Sequence, residues 1–228
     1  MLDKSKLSED LGFEVHQYLK QKGVETPMNK KAVFISEERV QKEVQDLCKQ
    51  IMEAQGLDLA DDSLADTPKR WAKVLTKEKF YGLSYDNFPK CTTVINKTPD
   101  DSDLVIIRDI EVKSLCEHHY EPIIGYCQIA YIPGENILGL SKFNRVVDFF
   151  ARRPQIQERL TKQIFYALQF ILDTEDIAIV IDAEHMCVKL RGVEDPCSDT
   201  VTSKLGGKFK EQGTLRSEFF SSIDIVRK

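Results

Sequence analysis

A chain of 228 residues with 42% hydrophobic and 30% charged side chains is long enough to bury a real core and too apolar to stay disordered. Its formal net charge of −5 speaks against binding to nucleic acid or an anionic membrane surface, and its longest apolar run, residues 177–181, is far too short to span a bilayer. The opening MLDKSKLSED lacks an apolar targeting stretch, so a cytoplasmic location is expected, and the six cysteines read as reduced thiols or metal ligands rather than a disulfide scaffold.

The first third of the chain predicts helices. Residues 7–22 carry Leu11, Val15, Tyr18 and Leu19 at helical spacing and close on Gly23, with ETPMNKK as a linker. A second helix begins after Ser36, presents Val40, Val44, Leu47 and Ile51 on one face, and stops before Gly56. In DTPKRWAKVL, Thr67 serves as N-cap with Pro68 in the first helical position, and this third helix ends near Gly82. A change of texture then divides a helical region, 1–85, from a core domain, 86–228.

In that domain DLVIIRDIEVKSL and GYCQIAYIP read as strands joined through a Cys-Glu-His-His segment. Two helices follow, LSKFNRVVDFFARR and QIQERLTKQIFYALQFIL. DIAIVIDAEHMCVKL then reads as one long strand, TVTSKLGGKFK as its hairpin partner, and TLRSEFFSSI as a terminal helix. The order strand, strand, helix, helix, strand, strand indicates an α+β fold built on an antiparallel sheet.

Three of the four histidines lie beside cysteines: His118 and His119 in SLCEHHY after Cys116, and His185 in AEHMCVKLRG before Cys187. Cys116 and His119, three apart, can aim at one ion from a turn or strand end. In an extended segment the neighbouring His118 points the other way. On a strand, His185 and Cys187 share one face. Cys116, His119 and Cys187 with a water make a catalytic metal site, leaving His118 and His185 for proton transfer. A structural site closed by a fourth ligand, in a protein that only binds a purine or pterin, is the competing arrangement. The H-x-E and P-C-x-x-C pairing of nucleobase deaminases is absent, as is a G-x-x-x-x-G-K-[ST] phosphate loop.

A polyanion would therefore be held by side chains and helix ends. Ser141, Lys142 and Arg145 stand at a predicted helix start, with Lys142 and Arg145 sharing a face. Lys189 and Arg191 follow Cys187, and Arg70 and Lys73 lie in TPKRWAK. Glu158 has two readings: an ordinary helix acid paired with Lys162 four residues on, or a carboxylate accepting from adjacent N–H groups of a base.

The motifs LADDSLADTPKR, SLCEHHYEPIIG, AYIPGENILGLSKFNRVVDFFARRPQIQERLT, HMCVKLRGV and SKLGGKF closely resemble GTP cyclohydrolase I across most of residues 36–220. The resemblance implies the tunnelling fold, with subunits joining sheets into a barrel within a toroidal homodecamer whose sites lie between subunits. It implies zinc on Cys116, His119 and Cys187, with His118 and His185 in the active site and Glu158 and Gln157 at the guanine. Ser141, Lys142, Arg145, Arg191, Arg70 and Lys73 would surround ribose and triphosphate. The implied reaction is hydrolytic opening of the guanine imidazole ring of GTP, release of C8 as formate, ribose rearrangement and closure to 7,8-dihydroneopterin triphosphate.

Overall fold

The computed structural model describes residues 2–29, 37–99 and 103–223. Helix α1, Glu9–Gln21, opens where the Ser8 hydroxyl accepts from the Leu11 amide and closes at Gly23, whose φ of +65° suits a residue without Cβ. Its Val15 and Leu19 are fully buried in the main core beside Phe88, Phe149 and Phe150. The first helix is thus part of the core and not an appendage. Helix α2, Glu37–Ala54, packs against α3, Thr67–Lys73; Ser36, where α2 was expected to begin, lies outside the described residues.

Two features of α3 differ from expectation. Asp66 flanks the helix and Thr67 is its first residue. The α-helix also stops at Lys73, giving way to a wider turn over Val74–Glu78 and short tight turns at Tyr81–Leu83 and Tyr85–Asn87. The Thr76 hydroxyl bonds back to the Ala72 carbonyl at 2.8 Å, a side-chain contact that bends helices. Gly82 then meets another backbone closely: its N–H donates to the Arg152 carbonyl at 3.0 Å, and a Cβ there would stand 2.1 Å from the Phe149 carbonyl oxygen.

The central sheet holds β2, Val105–Cys116; β3, Pro122–Tyr131; β5, Pro154–Gln155; β6, Ile177–His185; and β7, Thr200–Leu205. Their order is β5-β2-β3-β6-β7, antiparallel throughout except for β5, which runs parallel to β2. Two short strands, β1, Thr93–Ile95, and β4, Asn136–Leu138, pair separately. Helices α4, Leu140–Ala151, and α5, Gln157–Leu172, stand between β3 and β6 in sequence, so the expected order of strands and helices is the one found. Helix α4 packs on β2, and α5 on β6 and β7.

The apolar run in β6 is buried on both faces. Ile177, Ile179 and Ile181 enter the main core, whereas Ala178 and Val180 enter a second cluster with Phe209, Phe219 and Ile223. That second cover comes from α7, Gly207–Glu211, and α8, Gly213–Ser222.

The two C-terminal strands are shorter than predicted. β6 ends at His185, and the chain turns into a one-turn helix, α6, Met186–Lys189, closed by the Leu190 amide donating to the Met186 carbonyl at 2.9 Å. β7 ends at Leu205 because Gly207, at φ +44°, turns the backbone so that the Lys208 amide donates to the Asp176 carboxylate at 2.7 Å. A Cβ on Gly207 would lie 2.1 Å from that same carboxylate.

Candidate metal and nucleotide site

Three elements meet at one end of the sheet. β2 delivers Cys116 at its last residue, where Gln155 of β5 pairs beside it. The chain then makes a turn over residues 117–119 and reverses at Tyr120, whose φ of 57° is left-handed and unusual for a residue with a bulky side chain. The Tyr120 amide donates to the Cys116 carbonyl at 2.9 Å and so closes the turn. Because the segment is a turn and not extended, His118 and His119 do not oppose each other: the Nδ1 of each lies 3.8 Å from the Cys116 Sγ.

Cys187 arrives by a route the alternation argument did not foresee. It stands in α6, beyond the end of β6, and it joins the others because the chain turns there. One ligand atom each from Cys116, His119 and Cys187 lie within 4.8 Å of one another. Cys116 is buried, Cys187 half-buried and His119 exposed, so the cluster opens to solvent on the imidazole side. Burial pushes the Cys187 thiol up from its ordinary pKa, and the neighbouring Cys116 sulfur raises it further. A cation bound between the two sulfurs would favour their thiolate forms. Two thiolates and an imidazole are a donor set that fits zinc, and three protein ligands leave a position for water or substrate.

His185, the last residue of β6, completes this end. Its Nε2 lies 2.7 Å from the Oε1 of Gln157. The Gln157 side chain is buried, and its Nε2 donates to the carbonyls of Thr200 at 2.7 Å and Ile181 at 3.1 Å. With the amide nitrogen so committed, Oε1 accepts, so the neutral His185 ring carries its proton on Nε2, and its Nδ1 has no hydrogen-bond partner among the described residues. Burial lowers the His185 pKa below its ordinary value, and the Glu158 charge nearby opposes the shift. Sequence reasoning did not find that Gln157 fixes the ring and pins β6 to β7. Its position at the start of an amphipathic helix gave no sign that an amide would sit fully buried between strands.

The Glu158 carboxylate makes no hydrogen bond or ion pair among the described residues, with Lys162 or with any other side chain; the ordinary helix pairing is not formed. Lys189 is spent locally in a 2.8 Å ion pair with Glu184. Arg191 is exposed just beyond α6 and adds positive charge near Cys187.

The remaining cations lie elsewhere. α4 starts after β4 and its C-terminal end leads into β5 beside Cys116, so Ser141 and Lys142, in its first turn, stand at the helix's other end, where Phe143 packs on Tyr131, the last residue of β3. Arg145, one turn on, lines a cleft with Lys6, Tyr81, Pro89 and Asp148. Arg70 and Lys73 project from α3 into exposed ion pairs with Asp66 at 3.3 Å and Glu78 at 2.9 Å. A single chain brings together Cys116, His118, His119, His185, Cys187, Gln157 and Glu158; Ser141 and Lys142 stand at the other end of α4, and Arg70 and Lys73 are engaged in their own ion pairs on α3.

Comparison with known proteins agrees with this geometry. Residues 44–224 match the family described as GTP cyclohydrolase I. The GTP cyclohydrolase 1 of Yersinia enterocolitica is 48% identical over 209 residues, covering 92% of this chain and 94% of that protein. That of Shewanella sp. strain W3-18-1 is 50% identical over 210 residues, covering 92% and 97%. A solved dihydroneopterin aldolase from Burkholderia thailendensis, bound to guanine, aligns with 49% of this chain and 98% of its own at 11% identity and a TM-score of 0.32, too distant a likeness to bear on fold or ligand. On the family match and on relatives that are about half identical along nearly their whole length, the chain belongs to the GTP cyclohydrolase I family.

Proposed function

We propose that this chain performs its family's reaction, conversion of GTP to formate and 7,8-dihydroneopterin triphosphate, at a zinc ion held by Cys116, His119 and Cys187. The observation that carries the reading is the convergence of these three ligands from separate segments, next to a histidine whose tautomer is set by Gln157. Zinc bound there would lower the pKa of a water ligand to about 7 and so supply a nucleophile at neutral pH.

The chain's own groups supply the rest. The unpaired carboxylate of Glu158, exposed in the first turn of α5, accepts from two adjacent N–H groups on the guanine edge. The free Nδ1 of His185 is the atom that takes a proton and returns it to N7 as the imidazole ring opens. His118, with its Nδ1 equally close to the Cys116 sulfur, orients the attacking water or moves its proton. Arg191, Lys142, Arg145, Arg70 and Lys73 hold the triphosphate, and Ser141 assists proton movement during ribose rearrangement.

Since Ser141 and Lys142 stand at the end of α4 away from Cys116, the reading includes a toroidal homodecamer in which a neighbour completes each site. Residues 86–228 form the catalytic unit and 1–85 its helical companion. A cytoplasmic location accords with six free cysteines and with the lack, among the described residues, of any helix long and apolar enough to cross a membrane.

A second reading draws on the position of His118: as a fourth ligand it would close the site, leaving a purine- or pterin-binding protein with structural zinc. Incubation of the zinc-loaded protein with GTP, with assay for formate and for the fluorescence of oxidised neopterin, separates the two. Formation of both products supports the enzyme. GTP bound but unchanged, with one zinc per chain, supports the binding protein.

A further inference from the structure

The metal-bearing turn is tied to the N-terminal arm by a continuous set of buried and half-buried hydrogen bonds. Glu117, between Cys116 and the two histidines, forms an ion pair with Arg159, whose side chain is only 12% exposed. The Arg159 Nε also donates to the Gln155 Oε1 at 3.0 Å, and the Glu117 amide donates to the Gln155 carbonyl at 2.9 Å. Gln155 is fully buried; its Nε2 donates to the Phe150 carbonyl at 2.8 Å and to the Gln163 Oε1 at 2.7 Å. Gln163, also fully buried, donates to the Val24 carbonyl at 2.8 Å and the Thr26 Oγ1 at 3.2 Å. Every amide in the series has its orientation fixed by its partners, so none can turn without stranding a buried donor or acceptor.

Thr26 bears more than its share of this load. Arg153 is completely buried, and its Nε and Nη2 have no hydrogen-bond partner among the described residues. The guanidinium lies over the rings of Phe149, Phe150 and Tyr85 at 4.7, 4.9 and 5.2 Å, and its Nη1 donates to the Thr26 Oγ1 at 3.2 Å and more weakly to the Tyr85 hydroxyl at 3.5 Å. One threonine hydroxyl thus accepts from both Arg153 and Gln163.

We infer that Glu117, Arg159, Gln155 and Gln163 are positioning residues that hold the metal turn in register, and that the arm at Val24–Thr26 is their anchor. This rests on the reading of Cys116, His119 and Cys187 as metal ligands. It gives the arm after α1 a part in the site although it touches neither metal nor substrate.

The test measures zinc release to a chelator from the full-length protein and its Thr26→Val, Thr26→Ser and Arg159→Met variants. Groups that orient a ligand-bearing segment change metal affinity about 10- to 100-fold, so Arg159→Met should release zinc at least 10-fold faster. Thr26→Val should do so by about 2- to 10-fold, the loss of one or two hydrogen bonds, whereas Thr26→Ser, which keeps the hydroxyl, should match the wild type. The double variant should be no faster than Arg159→Met alone, because both act through one series. Unchanged release from folded Thr26→Val, or single effects that multiply in the double variant, would overturn the inference.

Amide exchange at Glu117 and Tyr120 in the metal-free proteins separates this from failure of the metal reading. Wild-type protein that holds no zinc would defeat that reading, yet faster exchange at these two amides in Thr26→Val than in Thr26→Ser would still support the anchor. Equal exchange in the two variants would overturn it.

Discussion

The two ends of the sheet are built on opposite terms. At the end where β2, β5 and β6 finish, one chain assembles the Cys-His-Cys group that could hold a metal, orients His185 through Gln157 and anchors Glu117 through Arg159 and Gln155. At the far end, where α4 begins, the Lys142 side chain makes no hydrogen bond or ion pair among the described residues, nor does that of Arg145 further along the helix, and on α3 the side chains of Arg70 and Lys73 hold only surface carboxylates. Bond-making chemistry needs ligands and proton donors placed to a fraction of an ångström, which buried networks within one chain provide. Charge recognition acts over longer distances and tolerates groups brought in by assembly.

Substitutions at the two ends should therefore fail differently. The largest effect belongs to Cys187→Ser: zinc content should fall well below one per chain and product formation by more than about 100-fold, beyond what loss of a merely orienting group costs. Metal analysis beside the formate assay checks this, and a variant that keeps both zinc and turnover would remove Cys187 from the site. Glu158→Ala should weaken GTP binding by about 10- to 100-fold, the worth of hydrogen bonds to a charged acceptor, with zinc content unchanged. Equilibrium binding of GTP reads this directly, and unaltered affinity would return Glu158 to the role of an ordinary helix acid.

Arg145→Met should raise KM about 10-fold, leave zinc in place and flatten the dependence of KM on ionic strength. A drop in zinc content instead would show that the two ends are not separable. The smallest effect lies at His16, stacked on Tyr85 with ring centroids 4.1 Å apart. Burial lowers its pKa, with the charges of Lys20 and Arg153 adding to the shift. Its contribution to stability is therefore complete above the unfolded value of about 6.5 and is lost as pH falls toward the lower folded value, where the unfolded chain binds more protons. His16→Phe keeps the stack without the titration, so its urea midpoint should decline less than that of the wild type between pH 7.5 and 5. Parallel declines would show that His16 does not titrate in this range.

Much of this was legible in the sequence where local pattern and burial agree. DIAIVID announced the strand that became β6, and SLCEHHY with HMC announced thiols and an imidazole that the fold does gather into a group able to hold a metal. What sequence periodicity missed lies at places where tertiary contacts override it. Alternation predicted that Cys187 would follow His185 on one strand face, but the chain turns into α6, and the cysteine reaches the cluster by that turn. Nothing local marks Tyr120 as left-handed at φ 57°, and that reversal is what allows both histidines to approach Cys116. Arg153 carried the signature of a surface residue, yet it is fully buried among aromatic rings. The reach of the N-terminal arm was equally hidden, since Thr26 and Gln163 meet across 137 residues of chain.

The central claim is that one chain's metal end works with another chain's cationic end, and subunit mixing tests it most directly. The Cys187→Ser protein, nearly inactive alone, and the Arg145→Met protein, reduced to about a tenth of wild-type activity at low GTP, would be dissociated, combined and reassembled, and formate release measured against each parent. Recovery of a substantial fraction of wild-type activity in the mixture, absent when either parent is reassembled alone, is the predicted result. A mixture no more active than its parents, with mixed oligomers demonstrated by mass, would place Arg145 and Cys187 of the same chain in one site and contradict the division between the two ends.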